Sequence, residues 1–199
     1  MFCEHELRLF SCLNIINRVR ADTILPATLE LPEAGEEGFL SAVIINCVPT
    51  TLQFKLAPTY ALYLAARYRA TTHFRPEATP HERAHLLSAF LLRVAHIMMQ
   101  TVQERNTDAN YLAFWMANAS ELLHFLKSDR QIGAFSLDAQ DVLADVVQLA
   151  FRHLVTTIQA ELANLIGIFL LERDEDDEKA TAPVIVAICF LASRIAERI

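Results

Sequence analysis

The sequence predicts an all-α fold: an elongated multi-helix bundle with a short extended lead-in. Between His81 and Ala182 there is no proline, and only Gly133 and Gly167 interrupt the side-chain-bearing residues, so long helices can run without interior breakers. Within that stretch apolar residues recur at steps of three and four, the spacing of one helix face. The 199 residues, 53% of them hydrophobic, suffice for one good core or slightly more.

In chain order, residues 1–23 are a weakly amphipathic N-terminal extension without assignment. "TILPATLELPEAGEEG" (23–38) has two prolines and two glycines and reads as an extended lead-in. A short helix is expected over Glu36 to Cys47, then "TTLQFKL" (50–56) as a short strand or extended segment. Pro58 suits the first turn of a helix through about Thr72, with Tyr60, Tyr63, Leu64 and Tyr68 as a wide aromatic face. Thr79, Pro80 and Glu82 supply a capping residue, a first-turn proline and a capping-box acid. The helix they start has Leu87, Phe90, Leu91, Val94, Met98 and Val102 on one face, opposite Arg93, His96, Gln100 and Gln103.

The next helix contains "YLAFWMANASELLHFLKSDRQ" (111–131), where Leu112, Trp115, Ala119, Leu122 and Leu126 form one stripe. Trp115, the single tryptophan, is expected in the core, the alternative being an interface anchor. Gly133 ends the connection, and Ser136 or Asp138 caps a longer helix. There Leu143, Val147, Ala150, Leu154, Ile158 and Leu162 oppose Asp141, Asp145, Gln148, Arg152 and Gln159. From Leu137 to Ile166 that helix would be about 45 Å long, hence the elongated bundle. An acidic linker and a terminal helix over Val184–Ile199 complete the chain, as a unit from 172 to 199.

A net charge of −7 argues against nucleic acid or an anionic membrane as partner. Much of it lies in "ERDEDDEK" (172–179), a solvated linker or, as the sharper alternative, an acidic docking tail. Cys3, Cys12, Cys47 and Cys189 are far apart, with no C-x-x-C pair, which points to reduced thiols rather than a disulfide framework. No membrane span is expected: "PVIVAICFLA" (183–192) is too short, and the N-terminal stretch, with Glu4 and Glu6 where a signal peptide would be basic and polar residues breaking its apolar part, does not resemble a signal peptide. A cytoplasmic protein is the expectation.

"HERAH" (81–85) matches H-E-x-x-H, with Glu104 nineteen residues beyond His85, near where some zinc peptidases keep a third ligand. The intervening segment has no glycine or proline and keeps helical period. A continuous helix would hold His85 and Glu104 about 28 Å apart, whereas ligands lie about 2 Å from one ion. The motif also sits in the first turns, where the helix dipole disfavours a cation. No metal site is expected. Asn118-Ala119-Ser120 is an N-x-S sequon placed mid-helix, where Asn118 is expected to bond to a neighbouring turn or helix rather than carry a glycan. His96, His124 and His153 stand singly, so no catalytic, cofactor-binding or metal-binding residues are assigned.

Four blocks then align with one family. "FKLAPTYALYLAARYR" (54–69), "FRPEATPHERAH" (74–85), "LAFWMANASELLHFLKSDR" (112–130) and "SLDAQDVLADVVQLAFRHLV" (136–155) resemble, in order, the dilute domain of the afadin/Canoe family. The resemblance runs from Ile24 to Leu171, and in the family the position of His81 is typically not histidine. It implies a partial dilute domain (24–171) in a non-enzymatic adaptor coupling adherens-junction receptors to the actin cytoskeleton. The alternative is a dilute-type cargo adaptor related to class V myosin tails. Other proteins, bound through a helical surface, are the partners implied. The Ras-associating, forkhead-associated and PDZ modules have no counterpart here, so GTPase and receptor-tail binding are not assigned to this chain. Because the family's domain is longer, apolar surface is expected to stay uncovered around Val142, Val146, Phe151, Val155 and Phe169, favouring self-association.

Overall fold

Among the described residues, five α-helices form where local chemistry permits them. In the computed structural model, which describes residues 28–171 and side chains as far as Ile166, they are α1 (Glu36–Leu40), α2 (Ala57–Ala70), α3 (Pro80–Glu104), α4 (Ala109–Ser128) and α5 (Leu137–Leu171). A π-helical turn, Ser41–Ile45, continues α1. The 1–23 extension, the acidic run and the terminal helix expected over Val184–Ile199 lie outside the described residues, as does the side chain of Phe169.

The all-α expectation is met; no strand occurs among the described residues. "TTLQFKL" corrects one part of it. Pro49–Thr51 is a 3₁₀ turn, and the segment then bends into α2. Leu52 and Phe54 do alternate onto the core, but Lys55 closes the loop, its Nζ donating to the carbonyls of Pro49 and Leu52. A period-two pattern becomes a strand only with a pairing edge beside it.

The starts of α3 and α4 follow from side chains. Thr79 Oγ1 accepts from the Glu82 amide while the Glu82 carboxylate accepts from the Thr79 amide, a complete capping box, and Pro80 takes the first turn. Asp108 caps α4 by accepting from the amides of Asn110 and Tyr111. After α4 the chain reverses tightly at Gly133, whose amide donates to Asp129. A Cβ there would stand 3.2 Å from the Leu126 carbonyl oxygen, so only glycine fits without displacement. Ser136, the residue before α5, donates its hydroxyl to Gly133 and accepts from the Gln140 side chain.

α2 and α5 both pack on α3 and α4, and α1 with its π turn closes one side against α2 and α3. The stripes expected on α3 and α4 are buried in full. In the lead-in, Leu29 and Leu31 are buried, and the Leu29 amide donates to the Leu64 carbonyl of α2. By length and composition α3 alone among the described helices could cross a membrane. Here its apolar face lies in the core and Arg93, His96, Gln100 and Gln103 face outward.

Arg69 joins α1, α2 and α3. Its side chain is 2% exposed, with the guanidinium 4.6 Å from the Phe74 ring centre and 4.4 Å from that of Phe90. Nη2 lies 2.6 Å from Glu36 Oε2, and Glu36 Oε1 also accepts from Arg93. Burial draws the Arg69 pKa down, opposed first by the Glu36 carboxylate.

Candidate interaction surface

Three features that the sequence singles out resolve into structural roles. At "HERAH", His81, Glu82 and His85 are exposed beside a cleft of about 370 Å³ lined also by Arg75, Glu77, Ala78 and Leu86. The Glu82 carboxylate is engaged by both the amide and the hydroxyl of Thr79. α3 continues unbroken to Glu104, and no group of three or more His, Cys, Asp or Glu able to hold a metal exists among the described residues. Zinc added to the chain is expected to wash out on dialysis; stoichiometric retention that His85→Ala abolishes would overturn this.

The Thr79 hydrogen bonds hold the Glu82 pKa below its ordinary value of 4.5. Because the folded value is the lower one, the capping box contributes its stability above the ordinary value. That contribution is lost as pH falls through the depressed one. Thermal melts from about pH 5 to pH 3 should therefore fall less steeply for Glu82→Gln than for the unmodified chain. Equal slopes would contradict the assignment.

Asn118, the sequon asparagine, is wholly buried and clamps α4 to α2. Its Oδ1 accepts from the hydroxyl and amide of Thr59 at 2.9 and 3.3 Å. Its Nδ2 donates to the carbonyls of Lys55 and Phe114, so both amide protons are used within the fold. The Thr59 hydroxyl also lies 2.7 Å from the Asn118 carbonyl oxygen. Asn118→Leu removes the side-chain partner of the Thr59 amide and of the Lys55 carbonyl, at about 1–3 kcal/mol for each group left unsatisfied. A denaturation midpoint unchanged by Asn118→Leu would refute the clamp.

Cys47 is buried, and burial pushes its thiol pKa up to about 11. That environment makes it a poor nucleophile.

The remaining feature is the distal half of α5. Its core-facing stripe is Ala139, Leu143, Val146 and Ala150, and no described residue after Ala150 is fully buried. Val146, expected to be uncovered, is 0% exposed, a correction. It falls seven residues from Ala139 on the line that α3 and α4 cover, whereas Val142 and Val147 flank that line and are half-buried. Phe151 is 56% exposed, as expected, and Leu162, Leu165 and Ile166 are 37%, 39% and 49% exposed. Val155 and Ile158, half-buried, connect them.

Phe151, Val155, Ile158, Leu162 and Leu165 are spaced 4-3-4-3, a coiled-coil seam rather than scattered surface residues. Over those residues the seam is about 21 Å long. Sequence reading placed Leu154, Ile158 and Leu162 on the core stripe; Leu154 is half-buried against the core, whereas Leu162 is exposed where α5 runs past its partners. The signal for a second stripe was the 3.5-residue period beginning at Phe151. A scan of the chain against protein-family models finds no match.

Proposed function

We propose that this chain is a non-enzymatic protein-interaction module of an afadin-like adaptor, acting in the cytoplasm at adherens junctions between adhesion receptors and the actin cytoskeleton. The observation that carries a binding role is the uncovered seam from Phe151 to Leu165 on a helix that outruns its bundle. Such a stripe fits an amphipathic helix of a protein partner, which would lay its own apolar positions along it. The resemblance of four sequence blocks, in order, to the dilute domain supports the adaptor setting, and the net charge of −7 favours a protein partner over nucleic acid.

The test is a tagged chain expressed in an epithelial monolayer. Enrichment at cell–cell contacts is expected, and loss of it in the Phe151→Asp, Leu162→Asp double variant, whose buried core, which includes neither residue, should stay folded. A uniform distribution of the unmodified chain would overturn the reading. Enrichment on moving organelles instead would favour the cargo-adaptor alternative.

A further inference from the structure

The α5 seam has a matching stripe within the same sequence. Val184, Ile188, Leu191, Ile195 and Ile199 are spaced 4-3-4-4, which differs by one residue from the seam's 4-3-4-3. Run antiparallel, the two stripes meet in five successive layers: Phe151 with Ile199, Val155 with Ile195, Ile158 with Leu191, Leu162 with Ile188, and Leu165 with Val184. Residue numbers in every layer sum to 349 or 350, so no layer requires an insertion or a skip. As a helix, residues 184–199 would extend about 22 Å, the length of the seam.

The connection is adequate. Residues 172–183, "ERDEDDEKATAP", are too charged to cover an apolar seam. Twelve residues can extend about 40 Å, far more than a reversal beside the end of α5 needs. The tether also decides between occupants. A segment held this close acts at an effective concentration on the order of millimolar, so a second copy at micromolar concentration is outcompeted.

We infer that residues 184–199 occupy the α5 seam of their own chain, antiparallel to it, and that a partner helix must displace them. The inference rests on the seam and the chain's own sequence, not on the junctional setting, and its test uses the isolated full chain without a partner. Leu162→Cys with Ile188→Cys, in a chain with Cys3, Cys12 and Cys189 changed to serine, places two thiols in one layer. Cys47 remains, protected by burial. Mild oxidation is expected to link most of the chain internally, giving a faster-migrating monomer with a 162–188 peptide. The pair Ala160→Cys with Ile188→Cys, off the seam, should link at least tenfold less.

Links between chains would show a second copy on the seam and overturn the inference, as would equal yields from both pairs. Hydrogen exchange on the chain without introduced cysteines gives an independent reading. Amides 155–166 should exchange at least tenfold faster after Ile188→Asp with Leu191→Asp, and unchanged rates would also overturn it.

Discussion

Trp115→Ala is expected to lower the unfolding free energy by about 3–5 kcal/mol, the range for removing a large aromatic from a packed core. The indole is fully buried on α4, edge-on to Phe114 at 5.2 Å and to Tyr111 at 6.3 Å. Truncation to alanine removes the apolar area and leaves a cavity that helices on several sides cannot all collapse into. The indole N–H lies near the Tyr111 hydroxyl, close enough to oppose the upward pKa shift that burial gives that phenol, but outside hydrogen-bond geometry. Trp115→Phe should accordingly cost less than the alanine change, since the unpaired N–H leaves with the ring. Urea denaturation checks both; a loss under 1 kcal/mol for Trp115→Ala would contradict the packing described.

Glu36→Ala is expected to cost a similar amount, about 3–5 kcal/mol, because it leaves the Arg69 guanidinium buried without its carboxylate. The faces of Phe74 and Phe90 attract that charge but cannot accept hydrogen bonds as Glu36 does. The converse change should be milder. Arg69→Met removes the buried charge and retains apolar bulk between the two rings, while Glu36 keeps its contact with the more exposed Arg93. Replacing a buried ion with a hydrophobic residue of similar size is often close to neutral. The order of the two midpoints is the measurement. Arg69→Met falling further than Glu36→Ala would show that the guanidinium holds the three helices by its own contacts rather than by its pairing.

Much of the architecture was legible in the sequence because its causes are local. The capping box at Thr79 and Glu82 lies within four consecutive residues, and its geometry needs no distant partner. The stripes on α3 and α4 are spaced by the helix itself, so Leu87 to Val102 and Leu112 to Leu126 could be assigned to the core before any neighbour was known. The same locality made the continuity of α3 from Pro80 to Glu104 legible, since no glycine or proline follows His85 within it.

The rest depended on what stands opposite. "TTLQFKL" carried strand-like alternation, yet without a pairing edge it became a turn and a bend. Arg69 gave no sign of burial, since Glu36, Phe74 and Phe90 are scattered along the sequence and converge only when α1, α2 and α3 pack. Asn118 could be placed on a helix flank, but its partner Thr59 is 59 residues away. On α5 the periodicity allowed more than one apolar stripe. Packing against α3 and α4 selected Ala139, Leu143, Val146 and Ala150 and left Phe151 outside. A sequence determines which faces of a helix are apolar, because spacing along one chain sets them. Which of those faces is covered is decided by the tertiary structure, because burial is a property of the surface opposite.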